Sequence, residues 1–316
     1  MAFIKLHSAE EWRARLGKSG RPAVVTIGNF DGVHMGHQKI LRETCSLAAE
    51  TGAMSVVLTF YPHPARVLRP AQAPLLLMTL DQRLAAIERM GLHAVLVLAF
   101  DEALAKMSAE SFVQTLLKET LDASAVVTGN NFRFGRGQQG DAKLLDSMGL
   151  DVYPSPPVEF GGIAVSSTAI RAAVGEGRME DAARMLGGPF SLAGDIVAGT
   201  GQGRKLVVPT LNLRTQQEQL PQCGVYVTET MVGGGTFRSA TNVGTRPTFD
   251  GARLAIESHL LDFSEDLTGG GMEIRFLKRL RDEQKFSDSE ELRAQVLRDI
   301  EQARAYFHAQ SFESSK

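Results

Sequence analysis

Short apolar runs alternate with segments of helical periodicity over the first half of the chain. The apolar runs lie at residues 23–27, 54–60, 94–98, 125–128 and 152–154. Between them, apolar residues recur at helical spacing in residues 38–50, 80–90 and 108–120. Because the apolar residues within a run are mostly consecutive rather than alternating, the runs are typical of strands covered on both faces. Repeated strand–helix units of this kind predict an α/β fold with a doubly wound parallel sheet.

The second half of the chain has a different pattern. Predicted strands, several of them separated by glycine-rich turns, lie at residues 192–197, 224–229, 236–243, 254–261 and 272–280. No long helical pattern interrupts them, which predicts a small antiparallel barrel or sandwich. The pattern changes at Gly187-Gly188-Pro189, so we expect two domains, residues 1–187 and 188–316.

A terminal helix is predicted after these strands. Ser287 and Glu290 have the spacing of a capping box. An apolar stripe with helical spacing follows, at Leu292, Val296, Ile300, Ala303 and Phe307. Such a stripe is typical of a helix that packs one face against a core.

Composition and charge narrow the class of protein. The chain has 316 residues, 43% of them hydrophobic and 22% charged, with a formal net charge of −2. This is ordinary globular composition, and without a basic tail neither nucleic acid nor an anionic membrane is favoured as a partner. The two cysteines, Cys45 and Cys223, lie far apart and indicate neither a zinc site nor a disulfide framework. The first residues lack the apolar core of a signal peptide, so we expect a cytoplasmic protein; the oligomeric state stays open.

The sequence GNFDGVHMGH, residues 28–37, directly follows the first apolar run. In open α/β sheets, ligands bind at the carboxyl ends of the strands. Gly28 and Gly32 allow tight turns, and Gly36 opens the next helix, whose N-terminus is a ready anion site. His34 and His37 add N–H donors about one helical turn apart, which favours a nucleoside triphosphate as ligand. The alternative is a glycine-rich turn with two surface histidines, either unliganded or paired on a metal.

Two further motifs resemble known signatures but lack their context. GRGQQG, residues 135–140, matches GxGxxG, yet it opens no helix behind the first strand and no acidic residue follows at the required distance. Lys106-Met107-Ser108 resembles part of the synthetase KMSKS loop without its second lysine. We interpret the latter as a helix start.

A second phosphate-binding segment is predicted at SSTAIR, residues 166–171, which follows a hairpin signal at Gly161-Gly162. Serine and threonine hydroxyls at a helix N-terminus bind phosphate oxygens together with backbone N–H groups. Arg171 lies in the first turn, where its charge opposes the helix dipole unless an anion is bound there. The alternative is ordinary capping with a solvated arginine.

Eight motifs, in this order and spacing, resemble those of the bacterial bifunctional riboflavin kinase/FAD synthetase family. Two of them are GNFDGVHMGH (28–37) and SSTAIR (166–171). The others are TFYPHP (59–64), GNNFRFG (129–135), PTLNL (209–213), NVGTRPTF (242–249), ESHLLDF (257–263) and LRDEQKF (280–286). The resemblance covers nearly the whole chain. It implies an N-terminal FMN adenylyltransferase with a nucleotidyltransferase fold and a C-terminal riboflavin kinase barrel, with riboflavin, FMN, FAD and ATP as ligands and Mg²⁺ as cofactor.

In the N-terminal module, the resemblance implies one ATP site and one flavin site. The ATP site is implied at Gly28, Phe30, His34, Gly36, His37, Ser166, Thr168 and Arg171. The flavin side is implied at Pro62, His63, Asn131 and Phe132. Judged alone, GNNFRFG fits a pair of core aromatic residues equally well. Asp31 is the one nearby carboxylate that could contribute to a Mg²⁺ site.

In the C-terminal module, the resemblance implies Thr210 and Asn212 as ligands of Mg²⁺ and phosphate, and Glu257 as general base. Gly203 and Arg204 lie in the glycine-rich loop before them and are implied to bind ATP. A positioned carboxylate suits this reaction because a primary alcohol is a weak nucleophile. Without its motif, Glu257 would be interpreted as a solvated strand residue.

The C-terminal module also departs from the family pattern. Val207 stands where glycine is usual, Leu211 where alanine is usual and Thr268 where tyrosine is usual, and Gly188 and Gln202 replace basic residues. The main hypothesis is therefore an enzyme with both activities. The alternative is an FMN adenylyltransferase whose barrel only binds flavin, and a further alternative is a binding protein without activity.

Overall fold

The structure is a computed structural model that describes residues 3–17, 20–197, 208–248, 251–263 and 269–313. The chain divides into two compact units between Ser167 and Thr168. The domain boundary expected between residues 187 and 188 stays a prediction.

A six-stranded parallel sheet forms the centre of the N-terminal unit. Its strands are β1 (Ile4–Leu6), β2 (Ala23–Ile27), β3 (Met54–Tyr61), β4 (Ala94–Ala99), β5 (Ala123–Gly129) and β6 (Asp151–Ser155). They are arranged in the order β1-β4-β3-β2-β5-β6, and every neighbouring pair is parallel. This confirms the predicted doubly wound sheet. The strand β1, which pairs with β4, was not among the predicted strands.

Both faces of this sheet are covered, as the consecutive apolar runs predict. Val56 and Leu58 of β3 pack into one hydrophobic cluster, whereas Val57 packs into another. The helices of this unit are α1 (Ala9–Arg15), α2 (Met35–Thr51), α3 (Pro64–Leu68), α4 (Leu80–Glu88), α5 (Glu102–Lys106), α6 (Ala109–Ser111) and α7 (Ala142–Ser147). A short hairpin of β7 (Glu159–Phe160) and β8 (Ile163–Ala164) follows.

The helix predicted over residues 108–120 changes geometry along its length. Ser108 caps α6, its hydroxyl accepting from the N–H of Ser111 at 3.1 Å, which confirms the helix start at Ser108, whereas Lys106 is the last residue of α5. The following segment, Phe112–Thr120, is a π-helix. The wider turn leaves this segment outside the spacing of an ordinary helix.

The C-terminal unit contains a closed antiparallel barrel. Its strands are β9 (Phe190–Val197), β10 (Leu211–Thr215), β11 (Gly224–Val232), β12 (Gly235–Thr248), β13 (Gly251–Leu260) and β14 (Gly271–Asp282), which close in the order β10-β13-β12-β11-β14-β9. Two helices precede it, α8 (Ser167–Gly175) and α9 (Met179–Leu186). The predicted strands are confirmed, and β10 is an additional one. A barrel, rather than a sandwich, is the observed form.

The terminal helix α10 (Ser289–Glu313) packs against the outside of the barrel wall. Ile300, Ala303 and Phe307 of its apolar stripe are buried against Val227 and Ala240. The helix cap differs from the prediction. Asp288 accepts from the N–H groups of residues 290 and 291, while the Ser287 hydroxyl donates to a carboxylate one turn further on.

One wall of the barrel interior is lined with hydroxyl groups. Five fully buried residues hydrogen-bond one another across β11, β12 and β13 at 2.7–3.0 Å; they are Thr228, Thr230, Ser239, Thr241 and Ser258. Because side chains alternate along a strand, the residues next to these point outward. Val227 and Ala240, which contact α10, are such neighbours.

Candidate active sites

The turn between β2 and α2 has an unusual backbone, and we name residues 28–34 the β2–α2 turn. Gly32 has a φ of +85°, and two residues with side chains, Phe30 and Val33, also have positive φ, at +52° and +38°. Such conformations are costly for residues other than glycine and are concentrated at functional sites. The turn is therefore shaped by something other than local preference.

The two histidines of this segment lie face to face. His34 caps α2: its Nδ1 accepts from the backbone N–H of His37 at 3.3 Å, and the ring centroids are 3.6 Å apart. Because Nδ1 is an acceptor, the neutral His34 ring carries its proton on Nε2. Nδ1 of His34 is thus used in the helix cap, which the sequence alone does not indicate.

His37 lies in a setting that keeps its ring neutral. Burial lowers the pKa of His37 well below its ordinary value, and electrostatic interactions with His34 and Arg83 lower it further. Phe30 contacts this ring edge-on at 5.1 Å. The Nδ1 atom of His37 is buried and has no hydrogen-bond partner among the described residues, which is unusual for a buried polar atom.

Gly36 leaves the space that the His34 ring occupies. A Cβ atom on residue 36 would lie 3.2 Å from Cε1 of His34. That distance is shorter than ordinary van der Waals contact between carbon atoms. The glycine therefore matters for placing the histidine as well as for opening the helix.

Asp31 holds the β2–α2 turn to neighbouring backbone. Its buried carboxylate accepts from the N–H groups of Leu77 and Met78 at 3.1–3.2 Å. Its carbonyl oxygen accepts from the hydroxyl of Ser167 at 2.8 Å. These contacts give Asp31 a role in fixing the turn, and they tie the start of SSTAIR to it.

The remaining predicted phosphate-binding residues follow that contact along the chain. Ser166 directly precedes α8, and Thr168 and Arg171 lie in its first turns. The division between the two units falls after Ser167. The approach of Thr168 and Arg171 to the histidines stays a prediction.

The predicted flavin-side residues follow the two strands that flank β2. Pro62 and His63 come after β3, and Asn131 and Phe132 come after β5. Because these strands are parallel, all three connections leave the same edge of the sheet. His63 also caps α3, its Nδ1 accepting from the N–H of residue 65 at 3.2 Å.

GNNFRFG combines a core residue with a more exposed one. Phe134 is buried in the hydrophobic core, and Phe132 is stacked on it with centroids 5.4 Å apart. The glycines of GRGQQG have a packing role as well. A Cβ on Gly135 would lie 2.7 Å from the Cα of Ala109, and one on Gly140 would lie 2.7 Å from the Phe134 ring. This explains the motif without a dinucleotide.

The barrel aligns three polar residues on three adjacent strands. Glu257 of β13 is directly opposite Asn212 of β10 on one side and Asn242 of β12 on the other. Directly opposite residues point to the same face of a sheet, so the three form one row, which we name the polar row. Asn242 was not among the predicted site residues, although it begins the NVGTRPTF motif.

A cavity of about 280 Å³ lies beside the polar row, between the barrel wall and α10. Its lining includes Thr210, Asn242 and Glu257, together with apolar residues of the barrel and of α10. The lining also includes His259, Arg281 and Glu283, so that apolar surface and convergent polar groups meet in one cavity, as in small-molecule sites. Thr210 and Glu257, predicted to act in the same reaction, thus share one cavity.

An ion pair joins the barrel and the helix at this cavity. Arg281 of β14 binds both carboxylate oxygens of Asp299 at 2.7–3.1 Å, and Gln295 donates to the same carboxylate at 2.8 Å. Asp299 is buried. Arg281 was not predicted, because nothing in its own motif reveals a partner on α10. Gly203, Arg204 and the departures at residues 202, 207 and 268 lie outside the described residues.

Comparisons with known proteins agree with both halves of this description. The FAD synthetase family model matches residues 17–169, and the riboflavin kinase family model matches residues 186–307. No helix among the described residues is long and apolar enough to cross a membrane.

Relatives match nearly the entire chain. The bifunctional riboflavin kinase/FMN adenylyltransferase of Escherichia coli K12 is 35% identical over 90% of this chain and 92% of its own length. That of Pseudomonas fluorescens is 37% identical over 90% and 93%. A crystal structure titled macrolide-efflux protein, from Streptococcus pneumoniae, has a TM-score of 0.85 at 29% identity and covers 96% of this chain and 99% of its own, and we take from it the fold. The chain belongs to the family of bifunctional riboflavin kinase/FMN adenylyltransferases, which phosphorylate riboflavin to FMN and adenylylate FMN to FAD.

Proposed function

We propose that this enzyme makes FMN in the barrel and FAD at the β2–α2 turn, each step consuming one ATP. The observation that carries this division is that each unit has its own polar site. One is the stacked pair His34 and His37 at a helix N-terminus, and the other is the polar row beside the cavity.

FAD formation joins two anions and needs charge neutralisation more than a base. The phosphate of FMN is ionised at neutral pH, so an oxygen of that phosphate attacks the α-phosphorus of ATP directly. The new P–O bond forms as the bond to the β-phosphate breaks, and pyrophosphate leaves. We assign the Nε2–H of His34, the His37 ring and the first N–H groups of α2 to the phosphoryl oxygens, where developing charge is greatest. Gly28 and Phe30 line the same ATP site.

The other phosphate and flavin contacts of this step are assigned from the motifs. Ser166, Thr168 and Arg171 are assigned to the phosphates, with the charge of Arg171 neutralising them. The flavin ring is assigned to the connections after β3 and β5, with Pro62 and His63 on one side and Asn131 and Phe132 on the other. The support for this assignment is that these connections flank the β2–α2 turn at one sheet edge.

FMN formation requires a group that removes a proton. Glu257 is assigned as the general base that accepts the proton of the terminal ribityl hydroxyl as its oxygen attacks the γ-phosphorus of ATP. ADP is the leaving group. Glu257 lines the cavity that is large enough to bind part of the flavin beside it. Gly203 and Arg204 are assigned to the phosphates of ATP.

Mg²⁺ is the metal whose chemistry fits these donors. The described residues contain no cluster of three or more His, Cys, Asp or Glu side chains that could hold a metal. Thr210 lines the cavity and Asn212 lies in the polar row, and both supply oxygen atoms. Mg²⁺ binds few protein ligands when phosphate and water oxygens complete its shell. When bound, it neutralises phosphate charge.

A second candidate is an adenylyltransferase whose barrel no longer phosphorylates riboflavin. The reason to consider this candidate is the departure from the family pattern at Leu211, the first residue of β10, which is next to Asn212 of the polar row. The bifunctional names of the relatives favour two activities. Because both reactions consume ATP, we place the enzyme in the cytoplasm.

The test is a time course with purified protein, riboflavin, ATP and Mg²⁺, with the flavins separated by chromatography. FMN that appears first and FAD that follows would support both sites. If riboflavin gives no product while added FMN gives FAD, the second candidate replaces the first. No product from either flavin would contradict an enzymatic role.

A further inference from the structure

A buried arginine joins two elements of the proposed FAD-forming site without belonging to either. Arg83 lies in α4, is 5% exposed, and appears in no motif of the sequence. A capping box between Thr79 and Gln82 fixes the first turn of this helix. The backbone position of Arg83 therefore does not depend on the contacts of its own side chain.

The guanidinium of Arg83 binds two backbone carbonyl groups at the carboxyl edge of the sheet. One terminal nitrogen donates to the carbonyl oxygen of Asn29 at 2.6 Å, and the other donates to that of Phe60 at 3.0 Å. Asn29 belongs to the β2–α2 turn, and Phe60 is next to the last residue of β3. Only arginine has a planar fork of donors that can reach two acceptors in this way.

The two carbonyls lead into opposite sides of the proposed site. Asn29 is flanked by Gly28 and Phe30 on the ATP side, whereas Phe60 precedes the connection with Pro62 and His63 on the flavin side. Neighbouring strands of a sheet stop restraining each other where their ladder of hydrogen bonds ends, and the ladder between β2 and β3 ends at Ile27 and Leu58. Just beyond that point the Thr59 hydroxyl donates to the Asn29 carbonyl at 3.5 Å, and Arg83 spans the same gap with two shorter hydrogen bonds.

We infer that Arg83 is a positioning residue for FAD formation, which fixes the distance between the ATP-binding turn and the flavin-binding connection. The inference rests on the proposed function, because it takes the two sides of the site from there. Transfer between two bound substrates depends steeply on their separation, since a displacement of about 1 Å can cost about 100-fold in rate.

The test compares Arg83→Gln, Arg83→Lys and the matched control Arg89→Gln, a substitution of an exposed arginine at the end of the same helix. We expect kcat/KM for FAD formation to fall about 100-fold in Arg83→Gln and about tenfold in Arg83→Lys, which keeps the charge but not the fork. Arg89→Gln should change it less than about twofold. FMN formation from riboflavin, measured in the same samples, should stay unchanged.

The KM values separate positioning from loss of folded protein. A misfolded fraction lowers kcat but leaves KM unchanged, because the remaining molecules are native. Displacement of both connections should raise KM for ATP and for FMN. The single tryptophan, Trp12, is buried in the N-terminal unit, so its fluorescence reports whether that unit is folded. Unchanged KM values, or equal activity in all three variants, would overturn the inference.

His34→Ala distinguishes this outcome from failure of the proposed function. If His34→Ala loses FAD formation and Arg83→Gln does not, the site is correct and the role of Arg83 is wrong. If His34→Ala retains full activity, the proposed site itself is wrong.

Discussion

The two units build their sites in opposite ways. In the N-terminal unit, ten consecutive residues form the turn, the cap and the first turn of α2, and two of them, Phe30 and Val33, have a strained positive φ. In the barrel, Asn212, Asn242 and Glu257 come from three separate strands in ordinary extended conformation and meet only through strand pairing. A site formed by consecutive residues can be recognised as a sequence motif. A site formed by residues of several strands depends on the pairing register of those strands.

The largest expected difference between the activities of the two units is at Glu257. We expect Glu257→Gln to lower FMN formation about 1,000-fold, because the amide cannot accept the ribityl proton. FAD formation from added FMN should be unchanged if the two sites are independent. Glu229→Gln, a substitution in another barrel strand, is the control. Equal loss of both activities with an intact fold would contradict the division of labour.

His34 is the matching test on the other side. His34→Ala removes an N–H donor and the cap of α2, and we expect about a 100-fold loss in FAD formation. FMN formation from riboflavin should continue at the normal rate, as measured by chromatography of the products. The exposed His7 provides the control substitution, His7→Ala. Normal FAD formation in His34→Ala would remove the histidine from the site.

Gly36→Ala tests the position of the His34 ring without removing any functional group. The added Cβ must displace the His34 ring by a few tenths of an ångström, since it would lie 3.2 Å from Cε1. We expect about a tenfold loss in FAD formation. Gly188→Ala, where the Cβ meets nothing within 4 Å, should have no effect. If both variants were equally active, the position of the ring would not limit the reaction.

The smallest effect concerns pH and stability. The pKa of His37 is well below its ordinary value because burial, His34 and Arg83 all disfavour the imidazolium. Below a pH of about 6.5 the unfolded chain therefore binds a proton that the folded chain does not, and stability falls as pH falls, by at most about 1.4 kcal/mol per pH unit.

Urea unfolding followed by Trp12 fluorescence at pH 7.5 and pH 5.5 measures this in the N-terminal unit. His37→Gln should lose less stability over that interval than the unaltered protein does. The remaining dependence is assigned partly to His93, whose pKa burial also lowers. An identical loss in both proteins would show that His37 contributes none of the pH dependence.

Much of the architecture could be predicted because it is written locally. The strand at residues 23–27 is observed with the bounds that the apolar pattern indicates, and the strand at residues 54–60 ends one residue later. β1 has three residues and β10 has five that include Asn212 and Arg214, so neither presents a run that periodicity detects. The π-helix after Ser111 likewise departs from the spacing that such patterns assume.

The candidate sites were predictable to different degrees for the same reason. The His34–His37 pair follows from helical spacing, but not the use of Nδ1 as an acceptor, which depends on the cap geometry. Asn242 and Arg83 become visible only when pairing and packing bring distant segments together.

The hydroxyl network inside the barrel maintains the pairing register of the barrel strands. The polar row points outward from the same strands whose neighbouring residues, among them Thr241 and Ser258, form that network. A shift of one residue in the register between two strands would turn Glu257 inward. It would also leave buried hydroxyl groups without hydrogen-bond partners. Replacing one hydroxyl by an apolar group leaves its neighbours unsatisfied, whereas replacing all of them leaves none unsatisfied. These five positions therefore constrain one another, and together they maintain the register that places Asn242 opposite Glu257 on the other side of the barrel wall.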